Sequence, residues 1–439
     1  MSEKLPHFIR RRLAGRGTLQ KVLSNSSWLF IEQSVRLAAG FVIGIWMARY
    51  LGPENFGWLN YAVAVVGIVG SFTGLGINAV VVRELVRSPA EKNLLLGTAA
   101  FLRGAGAAVG FLACVVIASR QGQPGSTLIL VIAAGMVFQV PEVADLLFQA
   151  RGEAGVSAWV RIAAFLGASI FKLGLLLAHA PLWSFAVAGV LEIALAAVGW
   201  WWAAGRRAAS LTMWQVEWRR VRSLLAESWP LAVSGLAVSA QAYVDQLFLG
   251  TMVGAAELGQ YAAALRLVSV FAFIPVVLQV VAAPEITRAQ AVDENLYRRR
   301  LHGLYRTMFL VFVVTAVPLM VVGPWAARWM YGASYATAAG LLPLLALRMF
   351  FTNLGVARSV FITAEGLFKF SLFTATVGAL VNFGLNWVWV PKWGARGAIF
   401  ASFVSFGVTL FALEGFKQRP RENLRLMARA VFMPWRSFA

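Results

Sequence analysis

Charge is scarce in this chain. Only 13% of its 439 residues are Asp, Glu, Lys or Arg, against about a quarter in a soluble globular domain. Cysteine is nearly missing. Cys114 stands alone, which excludes a disulfide within the chain and any cysteine-built metal site. The three histidines, His7, His179 and His302, are scattered at segment ends and read as surface or interfacial residues. Acidic side chains are scarcer than basic ones, 19 against 39, for a net charge of +20. In a soluble protein that balance would point to nucleic acid. Here the basic residues gather in short hydrophilic loops, as membrane topology requires, so no nucleic-acid partner is expected.

Apolar residues make up 59% of the chain. A membrane span needs about 20 mainly apolar residues. Twelve segments qualify: 27–50, 57–82, 94–118, 126–150, 156–178, 181–204, 228–251, 258–283, 304–326, 336–361, 368–390 and 394–416. They are long and Gly-rich, whereas barrel strands would be about 10 residues with alternating polarity. The expected class is an all-α polytopic membrane protein. The basic start "MSEKLPHFIRRRLAGRGTLQK" resembles a secretory signal. The apolar run after it is too long and leads into further spans, so it reads as an uncleaved first span.

Lys and Arg set the orientation. With the N-terminus in the cytoplasm, 27 of them fall on the cytoplasmic side, 5 outside and 7 within spans. That bias predicts both termini inside. The expected organisation is a basic cytoplasmic segment 1–26, an N-lobe 27–204, a cytoplasmic linker 205–227, a C-lobe 228–416 and a basic cytoplasmic tail 417–439. The tail, "NLRLMARAVFMPWRSF" (423–438), mixes apolar and basic residues and is expected to lie on the membrane surface, drawn to anionic lipids. The outer loops are short, which leaves no room for an external catalytic domain.

The two halves look duplicated. The first helix pair is joined by "LGPENFGWLNYA" (51–62), the seventh and eighth by "VGAAELGQYAAA" (253–264). A shift of 202 residues aligns Gly52 with Gly254, Phe56 with Leu258 and Gly57 with Gly259. Two six-helix lobes suit alternating access around a central cavity. Pro141, Pro275, Pro318 and Pro343 lie inside the expected spans, where neighbouring helices can re-satisfy the freed backbone groups.

The elements "ARYLGPENFG" (48–57) and "GLGINAVVVRE" (74–84) resemble the polysaccharide-repeat flippases, the Wzx-type O-antigen transporters. In the second half, "YVDQLFLG" (243–250), "LGQYAAALRL" (258–267) and "ITAEGLFKFS" (362–371) fit the same pattern. The resemblance covers most of the chain and places it in the superfamily that also holds the MATE multidrug exporters. It implies twelve helices in two pseudo-symmetric lobes and a bacterial inner-membrane location. It also implies movement of an undecaprenyl-diphosphate-linked oligosaccharide to the outer leaflet, beside the polymerase and glycosyltransferases of the same pathway.

Ionisable residues inside spans are rare and usually functional. The basic ones are Arg36, Arg103, Arg161, Lys172, Arg266, Arg348 and Arg358; the acidic ones are Glu32, Glu142, Asp145, Glu192 and Asp245. That excess, seven against five, suits a diphosphate cargo, because the planar Arg fork matches phosphate oxygens. By depth, Arg36, Arg348, Arg266 and Arg103 are the expected diphosphate ligands. Arg161 and Arg358 lie near span ends and are expected to snorkel, so Arg161→Ala should be mild. Glu32 and Arg36 are four apart and share a helix face, either neutralising each other or with Glu32 orienting Arg36. Glu32, Asp245, Asp145 and Glu142 are the candidates for holding a coupling proton or Na⁺, or for partnering the arginines. No metal or organic cofactor is expected.

Two other readings remain open. A MATE-like cation-coupled drug exporter would want an acid-dominated lumen. A lipid II-type flippase is a near relative, in which the resemblance implies helices beyond twelve. A membrane enzyme is not expected, since no nucleophile and base stand together.

Overall fold

The computed structural model describes residues 17–206 and 215–432, with the side chains of 17–27 and 29–30 left out. Most of the basic segment 1–26, residues 207–214 of the linker and residues 433–439 of the tail lie outside this description. Every regular element among the described residues is helical. In order these are α1 (Gly17–Thr73), α2 (Ile77–Arg87), α3 (Lys92–Ala118), α4 (Gly125–Ala134), α5 (Val143–Ala150), α6 (Ala154–Leu177) and α7 (Leu182–Arg206). After the linker come α8 (Trp218–Phe248), α9 (Ala255–Ser269), α10 (Phe273–Val292), α11 (Glu294–Val321), α12 (Gly323–Tyr331), α13 (Ala336–Ala364), α14 (Phe368–Gly407) and α15 (Gln418–Phe432).

Seven of the described helices are long and apolar enough to cross a membrane, or up to nine if each of two bent pairs is one span. Only 28% to 44% of the residues in their apolar windows are buried. Val198, Val281, Val321 and Leu380 are each at least two-thirds exposed. Such an apolar surface on a soluble protein would be an aggregation hazard; facing lipid it costs nothing. This is a multi-pass membrane protein.

Breaks follow Pro and Gly. α1 kinks at Gly52 (φ 73°), followed by Pro53, and α14 kinks at Gly394 (φ 55°), three residues after Pro391. Pro141 sits in the gap between a 3-10 turn at Gly135–Gln139 and α5, where the span bends by 44°. Pro275 falls in the first turn of α10, just past a 41° bend after α9. Pro318 and Pro343 stay inside continuous helices.

The chain forms two compact units. One holds the described residues up to Ile43 together with Val69–Gly235; the other holds Gly44–Ile68 and the chain from Leu236 onward. The first is centred on Ile77, Val81, Leu95, Leu96 and Phe148, with Trp200 and Leu224 packed on them. The second is centred on Leu301, Tyr305, Met308, Leu354 and Met427. The expected lobe borders differ from these units. Residues 44–68 pack with the second unit and 228–235 with the first.

The internal repeat explains the exchange at 44–68. A methyl group on Gly57 would fall on the carbonyl oxygen of Ala255, and one on Gly259 would fall on that of Pro53. The two contacts are related by the same 202-residue shift. The paired hairpins therefore meet backbone to backbone, reciprocally, and only glycine permits that approach. The turns that enter them, at Gly52 and Gly254, both have positive φ (73° and 130°). Tyr335 adds a side-chain tie, donating its hydroxyl to the Ala48 carbonyl at 2.7 Å.

α15 covers the described part of the expected surface tail, and its apolar face packs on the protein. Leu426, Met427 and Ala430 pack into the second core with Tyr297, Leu301 and Tyr305. Arg419 holds the start of the helix to Glu294 at 2.8 Å. That hydrogen bond raises the Arg419 guanidinium pKa above its ordinary value. Arg421, Arg425 and Arg429 face outward.

Candidate functional site

In the first unit, helix packing takes apart the expected Glu32–Arg36 couple. Although they are one helical turn apart on α1, each pairs with another helix. Arg36 donates from Nη2 to Glu192 Oε1 on α7 at 2.8 Å, and Lys172 Nζ on α6 lies 3.5 Å from Glu192 Oε2. Phe165 lies under the Arg36 guanidinium, 5.0 Å from ring centroid to Cζ. Glu32 instead meets Arg161 on α6, Oε1 to Nε at 2.9 Å. Arg161 also donates from Nη1 to Asp145 Oδ2 on α5 at 3.2 Å. Asp145 is 2% exposed and takes a further hydrogen bond from Gln149 Nε2 at 2.9 Å. Arg161 therefore does not snorkel. It is the shared cation of two carboxylates on two other helices, because α6 turns it inward.

Arg103, on α3, is 7% exposed and fully engaged at both terminal nitrogens. Nη1 donates to Glu142 Oε2 at 2.6 Å and to the Gln139 carbonyl at 3.0 Å; Nη2 donates to Asn78 Oδ1 at 2.6 Å.

In the second unit, Asp245 on α8 is 3% exposed. Its Oδ2 accepts from Ser402 Oγ at 2.8 Å and from Tyr261 OH at 3.0 Å, and its Oδ1 accepts from Asn386 Nδ2 at 3.0 Å. Arg348 Nη1 stands 3.6 Å from Oδ2 and donates to Tyr261 OH at 3.2 Å. Four oxygen or nitrogen groups from four helical segments thus surround one carboxylate. Arg266 on α9 lies flat on Gly44 of α1, where any larger residue would collide with its guanidinium.

Arg358 does not snorkel either. It donates from Nε to Glu414 Oε1 at 2.6 Å and from Nη2 to Thr374 Oγ1 at 3.1 Å. Glu414 is 0% exposed. It lies within the last expected span, and it is the acid that sequence reasoning missed. Its signal was present: an acid alone in an apolar run needs a buried cation, and Arg358 was available. With Glu414 counted, the seven basic residues face six acids, and most are in pairs. A surplus of intramembrane charge therefore no longer carries the argument for an anionic cargo.

Exposure separates three of the expected diphosphate ligands. The side chains of Arg103 and Arg348 are 7% and 17% exposed, Arg103 held by Glu142, Asn78 and the Gln139 carbonyl and Arg348 by Tyr261 and Asp245. Arg36 is 37% exposed, with one hydrogen bond to one acid that Lys172 shares. A guanidinium carries five donors in a planar fork. Arg36 keeps donors to spare and is also the most accessible of these three.

The sequence profile of a family described as "Polysaccharide biosynthesis protein" matches residues 22–290. The chain belongs to this family. The matched region includes both first-half motifs, so the resemblance drawn from them holds. No curated protein matches the chain. Among solved structures, the lipid II flippase MurJ in an inward closed conformation aligns with TM-score 0.72 and 15% identity, over 94% of this chain and 91% of that one. An inward-facing MATE family multidrug resistance transporter of the MOP superfamily aligns with TM-score 0.67 and 16% identity, over 90% and 96%. A MOP superfamily transporter from Pyrococcus furiosus, whose title reports reverse polarity of the binding pocket, aligns with TM-score 0.58 and 15% identity, over 93% and 96%. At such identities the likeness shows the fold. This family member shares the MATE-like fold of those transporters.

Proposed function

We propose that this chain flips a polyprenyl-diphosphate-linked oligosaccharide repeat unit from the cytoplasmic to the outer leaflet of a bacterial inner membrane, by alternating access, for surface polysaccharide synthesis. Arg36 is the observation that carries the reading: a partly exposed intramembrane guanidinium with one acidic partner and unused donors. A diphosphate entering the membrane needs a cation that is always charged and can hold oxygens in pairs. A drug cation would be repelled by it. In this reading the breaks at Gly52 and Gly394 separate successive crossings and α8 makes a further one, giving twelve with both termini inside. Asp245 in its ring of Ser402, Tyr261 and Asn386 suits a coupling proton or Na⁺. The polymerase and glycosyltransferases of the pathway are the expected partners.

The test is depletion in the native host. Lipid-linked oligosaccharide should accumulate while surface polysaccharide falls, and well-expressed Arg36→Ala protein should not rescue. A depleted strain with normal surface polysaccharide and new sensitivity to cationic drugs would replace this reading with the antiporter.

A further inference from the structure

α6 carries two cations of opposite circumstance. Arg161 and Lys172 are eleven positions apart, about three turns, so they share a face of the helix roughly 16 Å from each other. At Arg161, one cation serves two acids. Glu32 and Asp145 approach it at 2.9 Å and 3.2 Å, and their side chains are 11% and 2% exposed. At Lys172 the ratio is reversed. Glu192 on α7 serves two cations, accepting from Arg36 Nη2 with Oε1 at 2.8 Å while its Oε2 stands 3.5 Å from Lys172 Nζ. Among the described residues no second acid pairs with either cation.

Two cations on one acid leave a net positive charge within apolar segments, an imbalance that a further anion relieves. All three side chains can be reached: Arg36, Lys172 and Glu192 are 37%, 18% and 19% exposed. The contacts also have the pattern that a diphosphate would use. Each carboxylate oxygen of Glu192 has its own cation, a planar fork on one side and a compact ammonium on the other. Phosphate oxygens accept from both kinds of donor, the fork giving direction and the ammonium a point charge. Phe165 lies under the Arg36 guanidinium, 5.0 Å from ring centroid to Cζ. That ring supports the plane of the fork by cation–π attraction, so Arg36 can change its acceptor without turning over.

We propose that Lys172 is a second phosphate-binding cation beside Arg36, and that Glu192 is a built-in counter-ion which the diphosphate of the cargo displaces. No covalent bond forms or breaks. Arg36 and Lys172 exchange carboxylate oxygens for phosphate oxygens, and exchange them back on release. Arg36 alone provides for one phosphate. Lys172 gives the other phosphate a cation of its own, which makes the site prefer a diphosphate to a monophosphate. Glu192 competes for the same two cations and so lowers affinity, as a carrier requires if its cargo is to leave. The identity of the cargo rests on the flippase reading; the exchange of counter-ions can be measured without transport.

Calorimetric titration of the full chain in zwitterionic lipid nanodiscs with farnesyl diphosphate and farnesyl monophosphate, corrected with empty discs, tests this. The parent should bind the diphosphate more tightly by roughly tenfold, the scale of one charge-assisted hydrogen bond. Lys172→Ala should lose about that factor for the diphosphate and little for the monophosphate, and Lys172→Arg should keep the preference. Glu192→Gln keeps the shape but frees both cations, so it should bind the diphosphate several-fold more tightly than the parent. A pair that merely packs helices predicts the opposite sign for Glu192→Gln, and weaker binding there overturns the proposal. So does a parent that shows no diphosphate preference, or a Lys172→Ala that retains it. Should Glu192→Gln not fold, the two Lys172 variants still decide. Binding of the expected kind with normal surface polysaccharide on depletion would remove the flippase reading alone. Lipid-linked oligosaccharide accumulation, with diphosphate binding indifferent to Lys172 and Glu192, would remove the counter-ion exchange alone.

Discussion

Arg36→Ala and Arg161→Ala should behave oppositely in stability and in transport, and the structure sets the size of the difference. Arg36 makes one hydrogen bond, to a carboxylate that Lys172 also approaches at 3.5 Å. After Arg36→Ala, Glu192 still has a cation. The loss is about 1 kcal/mol, the scale of one partly exposed hydrogen bond. Arg161→Ala strips the cation from both Glu32 and Asp145, which are 8% and 2% exposed. Breaking a buried pair by removing one partner costs about 3–5 kcal/mol. Gln149 still donates to Asp145, which places the cost toward the lower end. The gap of about 2 kcal/mol is roughly thirtyfold in the folded-to-unfolded ratio. Thermal unfolding of both variants in one detergent, followed by size-exclusion of the surviving monodisperse protein, reads it directly. Arg36→Ala should stay close to the parent in stability and be inactive in the depletion–rescue assay. Arg161→Ala should lose stability first, and any loss of activity should track the loss of folded protein. Equal stability of the two variants would refute the pairing argument. An active, stable Arg36→Ala would refute its role with cargo.

Three other outcomes follow from the same geometry. Arg358→Met and Glu414→Leu should each destabilise by about 3–5 kcal/mol, while the two combined should recover much of that, since an apolar pair leaves no orphaned charge; thermal unfolding of the parent, the two single variants and the double closes the cycle. Gly57→Ala should cost about 1–3 kcal/mol and Gly259→Ala a similar amount, because each methyl must displace a backbone carbonyl of the other hairpin; unequal effects in a chemical-denaturant series would argue against the reciprocal contact. Asp245→Asn should abolish any Na⁺- or acid-dependent thermal stabilisation shown by the parent, and an unchanged response would move the coupling ion to another site.

Class and family were legible in the sequence because the relevant information is local. A run of apolar residues identifies a helix that can sit in lipid without reference to any other segment. Likewise "ARYLGPENFG" and "GLGINAVVVRE" mark the family wherever they fold. The repeat was visible too, since Gly52, Gly57, Gly254 and Gly259 keep the spacing that a shared hairpin demands. What these glycines do, pressing one repeat's backbone onto the other's, appears only when the hairpins meet.

The charges are where sequence reasoning ran out. The sequence showed that Glu32 and Arg36 share a face of α1, and proximity along one helix suggested that they pair. Their partners are Glu192 and Arg161, on helices whose rotation about their own axes no linear pattern specifies. The same rotation turned Arg161 and Arg358 inward, although their positions near span ends suggested snorkelling. The sequence by itself determined that buried charge exists in this membrane protein and that its cost must be met somewhere. Which acid meets which base, and which arginine keeps donors free, was decided by tertiary packing alone, because a charge in a low-dielectric interior is governed by the groups within a few ångströms of it.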